Sequence, residues 1–511
     1  MTNHTIVIVV FVLVAWIIAW SFPSVRARQA LLLLASYLFY SNWGLGFLSI
    51  LIASSLLNFS LGALLRGRLT SGRLWFGAGL NVILLGFFKY LPPMAEALGT
   101  TGWHLEFAKK IIMPVGMSFW TFQGLSYLFD LYREEELDPS LLEFCLYMAF
   151  WPVVFAGPVC RLPDMLPQFR KQHVFSWDDI SEGSFRLIQG AFMKMCLATI
   201  LGAGLVFGQG INAGFDEVKS GWGALDIWFL AVGFGFLLFF DFAGYSHIVI
   251  GTARLFGIRL PENFNRPFLS TTPSVFWTRW HMSLSSWIRD YVFVPLAAAS
   301  RNRRWPYAVF VIAMTLFGLW HAAKWTFILW GTYHGVVLVL HRIGQQIKRK
   351  YQVKMPPSLG VFLAWAVTFP VVSLGWLFFR ANSLSQALAM FSTIFSPAAY
   401  VRLSMPRSFY AVVAIGVVGY FIYEVAFSTL VAWGAAYKAK LSASAKALSI
   451  GTREISVIGL RLNAGGLFNF FVDTFWWWFA PAVAVLAAFL AIATSRQTGP
   501  VSVTPFIYTL F

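Results

Sequence analysis

The chain has 511 residues, of which 58% are hydrophobic, 18% aromatic and 12% charged, with a mean hydropathy of +0.69. Soluble globular proteins carry roughly 25% charged residues, so this chain has too little polar material to cover a water-facing exterior, and the bilayer is its expected solvent. A formal charge of +17 would point to nucleic acid in a soluble protein; here the basic residues fall in short loops between apolar spans, which removes nucleic acid as a partner.

In chain order, apolar runs long enough to suggest membrane helices cover Thr5–Phe22, Ala30–Tyr40, Leu45–Leu65, Leu74–Tyr90, Ile111–Leu128, Leu141–Val159 and Phe185–Val206. They continue over Ala224–Phe242, Pro306–Trp320, Trp325–Leu340, Leu359–Phe379, Phe409–Trp433 and Phe475–Thr494. The expected fold class is all-α: a polytopic integral membrane protein of roughly 11–13 transmembrane or re-entrant helices. The first run has neither a basic leader nor a small-residue cleavage site, so it is expected to be a retained helix. Arg26 and Arg28 follow it, and Arg66, Arg68 and Arg73 follow the third run, whereas 92–103 is almost free of Lys and Arg. That alternation places the N-terminus outside and the Arg-rich turns in the cytoplasm. Cys145, Cys160 and Cys196 lie in or beside apolar runs without metal-ligand spacing, so they are expected to be buried small apolar residues. The stretch Lys438–Asn463 is the least apolar and reads as a basic loop or surface helix. The whole of 1–511 reads as one integral membrane domain, with a core over 105–380, its chemistry in 241–335, and a less distinctive C-terminal part over 381–511.

The segment Asp241–Arg342 breaks the membrane pattern, because charged and imidazole groups alternate there with Trp, Phe and Tyr. A charge at the bilayer centre costs roughly 2.5–3.5 kcal/mol on insertion scales, so such groups face a protein interior or a watery cavity. His321 ends one apolar run, and another begins after a short Ala-Ala-Lys break; in a low-dielectric site a neutral imidazole can act as general base toward a hydroxyl, or else bond a neighbouring carbonyl. His334 lies within the next run and either lines the same space or packs helices. His281 stands beside Trp280 in the Trp-rich TRWHMS, a run that looks interfacial, and reads as a surface or packing residue before a base. Arg289 and Asp290 read as a tethering ion pair before a catalytic one. His4, His104, His173 and His341 lie in loops or at helix ends and receive no role. Walker-type, HExxH and Gly-x-Ser-x-Gly motifs are absent from the sequence, and the histidine spacing fits no standard metal signature, so no metal and no tightly bound cofactor are expected.

Three motifs stand in order: LFGIRLPENFNRPF, FW-x-RWH-x-SLS-x-W-x-RDY and GLWH-x-x-x-WTF-x-LWG-x-x-HG, all within Asp241–Gly335. Weaker likeness runs over Met113–Arg133, Phe150–Phe169 and Leu31–Tyr40. Together they resemble the bacterial branch of the membrane-bound O-acyltransferase superfamily, in particular the membrane component that O-acetylates alginate and related exopolysaccharides. The resemblance implies that His321 is the essential histidine and that helices ring a tunnel near it; His334, His281, Asp290, Arg289, Trp280 and Trp320 are the candidates to support or line that tunnel. It implies an acyl thioester such as acetyl-CoA arriving from the cytoplasm of a bacterial inner membrane, and a periplasmic or extracellular transferase that passes the acetyl group to a polysaccharide. Arg279, Arg301, Arg303 and Arg304 are candidates for the donor's phosphates. The sequence departs from the family at His247, where Asp is common, at Ala322–Lys324, and at Ala297–Arg304, which replaces a glycine-rich turn; these put alginate itself in doubt as acceptor. A transporter or flippase using His321, His334 and Asp290 as a proton path, and a non-catalytic scaffold for a cell-wall synthase, are the rival expectations.

Overall fold

The computed structural model describes residues 3–22, 24–99, 106–133, 136–172, 174–203, 210–216, 222–352, 356–424, 454–457 and 460–463, with side chains from residue 10 to 424. Among them, five helices are long and apolar enough to cross a membrane: Leu45–Gly67, Ser71–Lys89, Trp177–Ala203, Ala224–Leu255 and Pro357–Arg380. Val10–Ser21, Trp305–His321 and Leu384–Ile394 are shorter apolar helices. The predicted span at Phe475–Thr494 lies outside the described residues, as do His104 and His173.

Two predicted runs are not single spans. The run Ile111–Leu128 is broken at Pro114–Gly116, and its helix is Met117–Tyr132. Gly116 holds φ at +78°, and a Cβ there would strike the Val154 carbonyl, so glycine alone fits this turn. The run Leu141–Val159 is helical only over Leu141–Ala149, where Ser140 and Glu143 form a reciprocal cap. Beyond it, Pro152 cannot continue the helical ladder, and 150–160 is irregular and fully buried. Irregular backbone persists at such depth only when its polar groups find partners within the protein. Here Trp151 N–H donates to Ser36 Oγ at 3.1 Å and Val159 N–H to Ser283 Oγ at 2.9 Å. Hydropathy is blind to both breaks, because the turn residues are themselves apolar.

The described part of Lys438–Asn463 also differs from expectation. Glu454–Val457 and Leu460–Asn463 pair as an antiparallel hairpin with Ile455 opposite Leu462. The alternation of Ile455 and Val457, then Leu460 and Leu462, has the period of a strand and not of a helix.

Ala224–Leu255 is the central strut, with most of its residues buried. It packs along Trp177–Ala191 and against Pro357–Arg380. Its crossing with the first of these is close, since a Cβ on Gly244 would press on Gly190 and Lys194, and one on Gly251 would press on Gly183. The N-terminal helices form one apolar core with Met117–Tyr132 and the end of the strut, and a second core surrounds the remainder of the strut and the helices after residue 305. Two N-terminal tryptophans, Trp16 and Trp20, donate to the Leu255 carbonyl at 2.9 and 3.1 Å, and Arg28 donates to that of Phe256. The C-terminal end of the strut therefore sits level with the Arg26–Arg28 turn.

Candidate active site

Trp305–His321 and Trp325–Lys350 form a helical hairpin. Small residues let the two backbones meet: a Cβ on Gly318 would overlap the Phe327 carbonyl, and one on Gly331 would overlap that of Met314. His321 is the last residue of the first helix, so its side chain projects where the hairpin turns. It is 8% exposed. Around its ring stand Trp320, Phe317, Phe379, Trp330 and Phe327, with centroids 4.6, 5.1, 5.2, 5.3 and 5.9 Å away. Phe379 comes from Pro357–Arg380, so three helices enclose the imidazole. Aromatic walls lower the local dielectric and exclude water, conditions in which a positioned imidazole interacts strongly with a reacting hydroxyl or acyl group.

Lys89 ends Ser71–Lys89 at this level, with its ammonium 4.8 Å from the Trp320 ring and 3.3 Å from Ser118 Oγ. Sequence reasoning overlooked Lys89; a lysine closing an apolar helix after Phe87 and Phe88 was the available signal.

Of the surface and packing alternatives for His281, the structure shows packing: the ring is buried at 2% exposure. The segments Pro261–Phe268 and Phe276–Ser283 bind one another through Asn265 N–H to the Arg279 carbonyl at 3.0 Å and Met282 N–H to that of Asn263 at 2.8 Å. Asn263, fully buried, ties the knot: its Oδ1 accepts from Ser283 Oγ at 2.6 Å and meets His281 Nδ1 at 3.3 Å, while its Nδ2 donates to Ser246 at 3.1 Å. This assigns the proton to Nδ1 and leaves the His281 Nε2 lone pair, which has no protein partner among the described residues, to accept. His281 sits at φ +43° and Arg266 at +50°, left-handed positions uncommon for side chains of this size and held here by the knot. Asn263 was legible only as part of a motif.

His334 is buried on the second hairpin helix, 5.1 Å from Trp277 and 5.2 Å from Trp330, the tryptophan it shares with His321. Gly375 makes room for it, since a Cβ there would collide with Nε2. Trp280 stacks 4.9 Å from Trp376, which lies 6.3 Å from Trp330. The predicted His321, His334, His281, Trp280 and Trp320 thus form one continuous aromatic–imidazole region.

The charged candidates lie apart from it. Asp290 accepts from Arg161 at 2.8 Å and from Arg289 at 2.6 and 3.1 Å, and Tyr291 donates to Asp130 at 2.6 Å. Burial alone would raise the Asp290 carboxyl, but its two arginines outweigh that and hold it below the usual range. This is a tether. Arg301, Arg303 and Arg304 are exposed and precede the helix whose other end carries His321, about 25 Å away along its axis. Arg279 is half-buried.

The membrane-bound O-acyltransferase family model matches residues 101–381, the stretch that contains His281, His321, His334 and the aromatic side chains around them, while Lys89 precedes it. A probable alginate O-acetylase of Azotobacter vinelandii is 34% identical over 381 residues, spanning 73% of this chain and 73% of its own. A peptidoglycan O-acetyltransferase of Helicobacter pylori is 32% identical over 389 residues, 70% of this chain and 72% of its own. A teichoic acid D-alanyltransferase of Bacillus subtilis is 29% identical over 286 residues, 53% of this chain and 70% of its own. With its apolar spanning helices and these relatives, the chain belongs to the membrane-bound O-acyltransferase family and is an acyltransferase of the membrane.

Proposed function

We propose that this enzyme moves an acetyl group from a cytoplasmic thioester, acetyl-CoA or a close equivalent, to the outer side of a bacterial inner membrane, where it O-acetylates an extracellular or cell-wall polysaccharide. The observation that carries this reading is the enclosure of His321 by aromatic side chains from three helices. Relatives named for O-acetylation of alginate and peptidoglycan support the acetyl group and the class of acceptor.

In this mechanism an acceptor hydroxyl, on the polymer or on a periplasmic transferase that serves it, gives its proton to His321 as its oxygen attacks the thioester carbonyl. The C–S bond breaks, the new C–O ester forms, and the thiolate leaves to be protonated. The aromatic wall keeps water from taking the place of the hydroxyl. His281, held by Asn263, supplies a second acceptor, while Lys89 adds positive charge near the developing oxyanion. Arg301, Arg303 and Arg304, on the opposite end of the hairpin helix, suit the phosphates of a donor that enters from the cytoplasm. The Arg26–Arg28 and Arg66–Arg73 turns support an N-terminus outside.

The test is base-labile acetate on extracellular and cell-wall polysaccharide in cells with the wild-type chain, without it, and with His321→Ala at matched membrane levels. Loss of acetate in both altered strains is expected. Loss on deletion alone makes His321 structural; no change in either removes polysaccharide acetylation as the function.

A further inference from the structure

A cavity of about 660 Å³ lies away from His321, between Trp177–Ala203, the strut Ala224–Leu255 and the helix over 407–424. Its lining changes character along its length. At one end stand Arg186, Glu262, Arg266 and Glu424 with His247, on the side of the strut's C-terminal end. Farther in, the wall is Phe192, Leu197, Phe239 and Phe240. His247 and Phe239 are eight residues apart on one helix, so this polarity gradient runs over about 12 Å. Ile415 lines the cavity and is 67% exposed, so its apolar part opens to the molecule's periphery, where lipid would be. Phe192 and Leu197 belong to a π-helical turn over Phe192–Ala198, a distortion often retained where a helix wall serves a ligand.

The charges at the mouth alternate in sign. Arg186 pairs with Glu262 at 2.6 Å and Glu182 at 3.5 Å, and Arg266 pairs with Glu424 at 2.8 Å. Nδ1 of His247 is buried and has no hydrogen-bond partner among the described residues. A buried imidazole nitrogen left without a partner is costly unless something else meets it.

We propose that this cavity seats one phospholipid with a phosphoethanolamine headgroup, its acyl chains lying along the apolar shaft. A headgroup with both signs inserts into the existing pairs: the phosphate takes N–H donors from Arg186 and Arg266, and the ammonium donates to the glutamates. His247 completes the shell. A purely anionic headgroup would face three carboxylates, and a choline headgroup has no N–H to give them. The volume accommodates the headgroup and the upper part of the chains, with the remainder in the bilayer.

Gly419 lines the cavity, and a Cβ built on it meets nothing within 4 Å, so Gly419→Phe fills the space without a clash at the backbone. The experiment purifies the full chain from membranes, exposes it to equimolar phosphatidylethanolamine, phosphatidylglycerol and phosphatidylcholine, and weighs retained lipid by native mass spectrometry. One phosphatidylethanolamine is expected on the wild type. Retention should fall about tenfold in Gly419→Phe and about fivefold in His247→Ala, the weight of one lost charge-assisted hydrogen bond. Equal retention of the three lipids, or unchanged retention in both variants, overturns the proposal. So does displacement of the lipid by soluble phosphoethanolamine, which would mark a water-borne ligand. If Gly419→Phe does not fold, His247→Ala decides alone.

Discussion

Two polar centres within the same core use their groups in opposite ways. Around Asp290 the polar groups hold one another: two arginines hold the carboxylate, and the neighbouring Tyr291 hydroxyl bonds one oxygen of Asp130. Around His321 and His281 the neighbours are aromatic faces, and at least one ring nitrogen, His281 Nε2, has no protein partner among the described residues. A satisfied network rigidifies, whereas an imidazole in a dry pocket is available for chemistry. Charge in a membrane segment is thus a poor guide to catalysis until its partners are counted.

The comparison breaks or sharpens under substitution. The largest effect is expected from His321→Ala, with acyl transfer down about 100-fold or more while membrane yield and thermal unfolding remain near wild type, since a general base contributes roughly 10²–10⁴ in rate. Residual activity close to wild type would move His321 to the structural side. Next, Gly375→Ala should push the His334 ring off its position and lower turnover about tenfold, as small displacements near a reacting centre do. Initial rates at saturating donor would read it, and an unchanged rate would detach His334 from the site. For Asp290→Asn the opposite pattern is expected: a loss of about 1–2 kcal/mol in stability, seen as a lower unfolding midpoint in detergent, with turnover per folded molecule unchanged. A selective loss of turnover would make Asp290 functional after all. The smallest effect is at Glu143, whose carboxyl Arg170 and the Ser140 cap lower to about 2. A carboxylate depressed on folding stabilises above its unfolded pKa, and that contribution fades as pH falls toward the folded value. Glu143→Gln should therefore cost about 1 kcal/mol at neutral pH, with the difference from wild type shrinking on acidification. A gap independent of pH would exclude the charge as its source.

Much of the site was legible because its signal is local. His321 closes an apolar run, and His334 lies in the next, so a hairpin carrying both followed from spacing. The walls were not legible: Lys89 reaches Trp320, and Phe379 reaches His321, from helices far away in the chain. For His281 the sequence left surface and packing both open, because TRWHMS looks amphipathic in isolation and its burial is decided by Asn263 and Phe242, the latter 4.6 Å from its ring. The runs at 111–128 and 141–159 misled for a related reason. Their turns are made of apolar residues, and the hydrogen bonds that allow the turns come from other elements: Tyr40 donates to the Val115 carbonyl, and Ser36 and Ser283 accept from Trp151 and Val159.

The position of Phe379 bears on how the enzyme is made. Synthesis proceeds from the N-terminus, so His321 and its hairpin enter the membrane before Pro357–Arg380 does. Until that later helix docks, one wall of the imidazole pocket is missing, and water or lipid borders the ring instead. A nascent or truncated chain ending before it would hold the reactive group without its shelter, so competence to react arrives late, as an event of assembly, and half-built copies stay silent toward the donor pool.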